Sequence, residues 1–115
     1  MGKSFIAILG IGKGSWGHVN RLITVEEWDS VLLISNEWGK ENFTPGKEVD
    51  WVIVNNRAPF DIIKDTIKEK LPNNEICISI ISGSGKEHMA LLAALKEANK
   101  DYRMAVLTGG GTKYY

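Results

Sequence analysis

The run EICISIISGSGKEHMALLAALKEANK, residues 75–100, decides the fold. Residues 75–81 are almost continuously aliphatic and β-branched, as in a parallel strand buried on both faces. Residues 86–100 are strong helix formers. Ser82-Gly83-Ser84-Gly85-Lys86 joins the two, so the run reads as strand, glycine loop, helix, one unit of a parallel α/β sheet. The loop is close to a P-loop without being one. The pattern G-x-x-x-x-G-K-[ST] requires glycine where Ile80 stands and a hydroxyl where Glu87 stands. Without that hydroxyl the usual magnesium ligand is missing, which argues against ATP hydrolysis and for a ligand held without metal.

Working outward, four more strand-like runs occupy 4–10, 30–35, 50–55 and 102–108. Residues 59–71 alternate apolar and charged groups at helical spacing through Phe60, Ile63, Ile67 and Leu71. Residues 18–23 form a shorter helical candidate, and Thr24-x-x-Glu27 reads as a capping box opening a further segment over 24–28. The stretch 36–50 reads as an irregular connection around a Pro-Gly turn. The alternation predicts a single Rossmann-like domain over 1–115, α/β and three-layered, with a mainly parallel five-stranded sheet in the order 3-2-1-4-5. The join between the second and third strands is its weakest point, because no clear helix crosses over there.

Composition narrows the partners. Of the 115 residues, 14 are basic and 14 acidic, so no long-range field draws in duplex DNA or an acidic membrane, and an anion site must be local. A single cysteine, Cys77, rules out an internal disulfide and a cysteine-based zinc cage, and its apolar neighbours mark a buried structural thiol. The N-terminal apolar stretch is too brief for a secretory leader or a membrane span, so a cytoplasmic location is expected.

In a parallel sheet the loops after the strands share one edge, and ligands bind where the strand order reverses. Those loops are 12–18, 36–38, 55–57, 82–86 and 108–113. The first and fourth belong to the strands at the reversal, and both enter helices with glycine, hydroxyl and lysine. Such loops present backbone N–H groups to a phosphate with a helix dipole behind it. Lys13 and Lys86 would neutralise the charge; alternatively, the glycines only make tight turns. Gly12, Gly14 and Gly17 also match G-x-G-x-x-G, with Glu37 placed as a ribose acid, so an NAD(P)-type dinucleotide site of an oxidoreductase stands as the alternative. Trp16 and Trp38 would stack on a base or cover the sheet ends. Asn36, Asn55, Asn56 and Arg57 would read a base or ribose, or simply make turns. His18 is either an acid–base group or an idle helix residue, and His88 lies in the first turns of its helix. No spacing supports a metal.

Met89–Leu95 is apolar without a break. A surface helix keeps a polar face, so this one needs cover on more than one side. A second subunit packed through this helix supplies it, which predicts a symmetric homodimer; the alternative cover is the segment 36–50.

Ser82-Gly83-Ser84-Gly85-Lys86 followed by EHMALLAALKEA, with LGIGKGSWGH after the first strand, resembles the CARF domain, the CRISPR-associated Rossmann fold that senses cyclic oligoadenylates. The resemblance implies a homodimer binding one ring across its two-fold axis, with no cofactor. It implies that Gly83, Ser84, Gly85 and Lys86 hold phosphate and ribose, and that Gly12, Gly14, Ser15 and Trp16 wall the pocket. It further implies a role in CRISPR antiviral signalling, either as a stand-alone member or as a piece of a larger effector. Such a member either binds the ring or cleaves it as a metal-independent ring nuclease. Cleavage would use Lys86 with Ser15, Ser82 or Ser84 against the developing charge, and His18 as proton acceptor.

Overall fold

The computed structural model describes residues 2–115. Strand β1 (Lys3–Ile8) runs through a 3-10 turn at Lys13–Ser15 into helix α1 (Trp16–Val25). There follow β2 (Ser30–Ser35), α2 (Glu37–Asn42), β3 (Asp50–Ile53), α3 (Phe60–Lys68), β4 (Glu75–Ser79), α4 (Gly85–Glu97), β5 (Arg103–Thr108) and β6 (Gly111–Tyr114). The sheet order is β3-β2-β1-β4-β5-β6, the first five strands parallel and β6 antiparallel to β5. The Rossmann-like α/β class and the 3-2-1-4-5 order are therefore as expected, and the sheet has a sixth strand.

The register explains the three layers. Ile6 stands between Leu32 and Ile78, and Phe5 between Val31 and Cys77. Because successive side chains point to opposite faces, Ile6 and its neighbours meet Ile63 and Ile67 of α3 and Ala90, Leu91, Ala94 and Leu95 of α4. Phe5, Ala7 and Leu9 meet Val19, Leu22 and Ile23 of α1. Continuous apolar runs in β1 and β2 follow from this burial on both faces. Burial also pushes the Cys77 thiol up from its ordinary range, in keeping with a structural role.

Three local expectations are corrected. Thr24 does not open a helix: it lies in the last turn of α1, its hydroxyl donating to the Arg21 carbonyl at 3.2 Å. Trp28 then folds back, donating Nε1–H to the Leu22 carbonyl at 2.9 Å and stacking on Phe5 at 4.8 Å. The stretch 36–50 is not wholly irregular, since Asn36 caps α2 by accepting the Gly39 N–H at 2.7 Å. Phe43 carries that segment to the α1 face, beside Trp16 and Trp51, and so away from α4. Finally, 108–113 is a hairpin turn, in which Thr108 Oγ1 accepts from Gly110 and donates to Gly111, the latter at φ +105. Among the described residues no helix is long and apolar enough to cross a membrane.

Tyr114 anchors the added strand. Its hydroxyl donates to Glu26 Oε1 at 2.7 Å and accepts from Lys3 Nζ at 3.3 Å. Burial, and then the hydrogen bond to Glu26, hold its pKa well above the ordinary value near 10. The folded chain thus keeps a proton that the unfolded chain loses above about pH 10. This contribution is complete below that pH and declines as pH rises through the alkaline range. Tyr114→Phe is expected to lose about 1 kcal/mol at pH 8. In urea titrations from pH 8 to 11, the wild type's advantage over this variant should shrink as pH rises past 10.

Candidate functional site

The two loops at the strand reversal are locked together at backbone level. Gly10 N–H donates to Ser82 Oγ at 2.9 Å. A Cβ on Gly10 would stand 2.8 Å from both Cα and N of Gly83. Gly83 has φ +100, and a Cβ there would stand 2.5 Å from Ile8 Cγ2. These two positions demand glycine, one by close approach and the other also by its backbone conformation. The β1 loop is pinned further by Ser35 Oγ donating to Leu9 O and by Trp16 Nε1 donating to Gly10 O, each at 2.9 Å.

Above this junction opens a cleft of about 490 Å3. One wall is Leu9–Gly12, Gly14 and Ser15; the other is Ile81–Ser84 with Glu87; Asn36 and Asn56 complete it. Ile11 and Ile81 stand at it 66% and 53% exposed, so the cleft offers aliphatic as well as polar surface. This is the edge that the strand order singles out for a ligand.

Of the residues expected here, Gly12, Gly14, Ser15, Asn36, Ser82, Gly83 and Ser84 line the cleft, while Trp16, Asn55, Gly85, Lys86 and His18 do not. Trp16 is 7% exposed and backs the β1 loop. Asn55 is occupied in its own turn, accepting the Arg57 N–H at 2.9 Å, and its neighbour Asn56 faces the cleft instead. Lys86 donates to the carbonyls of Ala58 at 2.6 Å and Asn56 at 3.2 Å. It therefore braces the loop after β3. His18 lies beside an apolar crevice between β4 and β5, where its Nε2 accepts the Leu107 N–H at 3.4 Å. Lys86, Ser15 and His18 are thus not gathered in one place.

The dinucleotide fingerprint is not built as its pattern requires. Its third glycine normally permits close helix–strand packing, yet a Cβ on Gly12, Gly14 or Gly17 would meet nothing within 4 Å. Glu37 begins α2 and does not line the cleft.

The two helix starts differ. Neither Gly12 nor Ser15 caps the α1 end with a side chain, and Lys13 Nζ stands exposed over Trp16 and Trp38, at 5.7 and 5.5 Å from their ring centres. The α4 end is closed by a complete capping box, in which Glu87 Oε1 accepts Ser84 N–H at 2.8 Å and Ser84 Oγ accepts Glu87 N–H at 3.3 Å. A phosphate about 4 Å from Glu87 would meet repulsion on the order of 4 kcal/mol. Electrostatics therefore favours an anion at the α1 loop. Glu87 was not among the expected residues, although Ser84-x-x-Glu87 shows in the sequence as a capping box. Among the described residues no cluster of His, Cys, Asp and Glu is disposed to hold a metal.

No protein-family model matches the chain. No curated protein matches it by sequence. Among solved structures, the fold is similar to that of Enterococcus italicus Csm6, determined bound to cyclic hexa-2′-fluoro-hexa-dAMP, with a TM-score of 0.59 and 17% identity. The match covers 94% of this chain and 34% of that one, so the chain spans about a third of the length of Csm6 and shares its fold over that third.

Proposed function

We propose that this chain is a CARF-like domain that binds a cyclic oligoadenylate in the cleft, as a homodimer, in CRISPR antiviral signalling. The observation that carries the reading is the cleft itself: two glycine loops locked at the strand reversal, open on an uncapped helix start. The fold shared with a protein solved around a ring of six modified adenylates supports the ligand class. Phosphate rests on the N–H groups of the Gly12–Ser15 loop with Lys13 beside it, while Asn36 and Asn56 meet base or ribose. Lys86 is a positioning residue, acting through the loop that carries Asn56.

The dimer has support of its own. Ala90, Leu91, Ala94 and Leu95 are buried within the chain, but Met89 on the same helix is 59% exposed, and Leu92 and Ala93 are only half-buried. The segment 36–50 lies on the far side of the sheet and leaves them uncovered. A second copy supplies the cover, and with it a second cleft.

Ring cleavage needs an in-line attack with a proton acceptor and a charge stabiliser together. Of the three candidates only Ser15 lines the cleft, so binding without turnover is the reading. The test is a titration with cyclic tetraadenylate and cyclic hexaadenylate, followed by thermal shift and sedimentation, with NAD(H) as control. One of the rings should raise the melting temperature of a dimer by several degrees and remain intact in EDTA, while NAD(H) gives no shift. No shift with either ring sinks the ligand; a linear product reinstates the nuclease.

A further inference from the structure

The α4 capping box leaves one oxygen unaccounted for. Glu87 is 6% exposed, and its Oε1 is committed to the Ser84 N–H. Among the described residues Oε2 has no hydrogen-bond or ion-pair partner. The two basic side chains beside it are engaged elsewhere, Lys86 on the carbonyls of Asn56 and Ala58, and His88 Nε2 on the Ser82 carbonyl at 2.8 Å. Oε2 is also not among the fully enclosed unpaired atoms, and Glu87 is one of the residues that line the cleft, so the cleft is the side from which a ligand's donor would reach it.

An ionised carboxylate is acceptor-only. Beside the α4 N-terminus its charge is tolerated, and its open oxygen is satisfied only by an N–H or O–H arriving from the cleft. A ligand that displaces the solvent without supplying a donor leaves the oxygen unpaired and loses affinity. A phosphate is excluded from this wall by like charge, and its place is the opposite wall, on the uncapped Gly12–Ser15 loop.

We infer that Glu87 is a specificity-determining residue of the cleft: it accepts a hydrogen bond from a neutral donor of the ligand, a ribose 2′-hydroxyl or an adenine 6-amino group, and so turns the phosphate toward the α1 loop. The inference rests on the oligoadenylate reading and adds to it the kind of ligand atom read at this wall.

Glu87→Gln tests it without changing shape. A capping box accepts glutamine as well as glutamate. The Ser84 N–H needs an acceptor, so the amide oxygen is held on it and the NH2 group faces the cleft. The acceptor becomes a donor at the same site. Affinities of wild type and variant for cyclic tetraadenylate and cyclic hexaadenylate are compared by calorimetry with those for the 2′-deoxy and inosine counterparts, with melting temperature as the check on folding. The wild type should prefer a parent ring about tenfold over one of the two analogues, and that analogue identifies the donor. Glu87→Gln should lose the preference. Equal wild-type affinity for parent and both analogues, or a preference that survives in Glu87→Gln, overturns the role of Glu87 and leaves the ring reading standing. The wild-type comparison decides alone should the variant melt early. Failure of every ring to bind the wild type overturns the ring reading and this inference together.

Discussion

Gly83→Ala is expected to destabilise the fold by about 3 kcal/mol, combining backbone strain with overpacking. Both causes are visible: φ is +100, and the new Cβ would press on Ile8 Cγ2, whose residue is wholly buried in the sheet. For a domain of this size that is a drop in melting temperature of about 10–15 °C. Gly10→Ala should be nearly as damaging, because its Cβ would collide with the Gly83 backbone rather than with a side chain free to turn. Gly17→Ala is the matched control. Its Cβ would enter open space within α1, so stability should hold or rise by up to about 1 kcal/mol. Thermal or urea unfolding of the three variants measures this. Equal tolerance at all three positions would mean that the two loops are not locked as described.

Gly14→Glu should separate binding from folding. Gly14 lines the cleft, and a Cβ there would touch nothing within 4 Å, so the fold accommodates the side chain within about 1 kcal/mol. It places a carboxylate where the phosphate is proposed to rest. At 4–6 Å and an effective dielectric near 20, the repulsion is on the order of 3–4 kcal/mol, a loss of at least about 100-fold in ring affinity. Gly14→Gln, similar in size and uncharged, should lose much less. Calorimetry at two salt concentrations checks the pair, since the difference between them should narrow as salt screens the charge. Equal affinities for Glu and Gln variants would move the phosphate away from this loop.

The parts legible in the sequence share one cause. Long apolar runs such as 30–35 and 75–81 become strands buried on both faces, and the helix expected over 86–100 forms as α4, which ends three residues earlier at Glu97. There the local pattern and the tertiary environment ask for the same residues. Elements that the sequence does not reveal lie where they differ. Helix α2 is six residues of EWGKEN with a glycine inside, stabilised by the Asn36 cap and by the room that Gly39 leaves for the Ser35 side chain. Strand β6 begins within a glycine run and depends on its partner β5 and on the Tyr114–Glu26 hydrogen bond, 88 residues apart in sequence. In the site, glycine spacing pointed to Gly12, Gly14 and Gly17 as well as to the loop that holds Gly83, whereas close approach demands Gly83 and also Gly10, which no motif marks.

The sequence by itself determined the α/β class, the order of the five parallel strands and the edge on which the cleft lies. Each follows from periodicity and from the right-handed crossover of parallel strands, and none of the three needs coordinates. Only the tertiary structure decided which side chains face the cleft. Lys86, the cation of the opening motif, is drawn onto the carbonyls of Asn56 and Ala58, from a loop about thirty residues earlier in the chain. Glu87, one residue on, closes the helix start and lines the cleft. Neighbours in a helix point about 100° apart, so a motif can locate a site while the packing around each residue selects the ones that serve it.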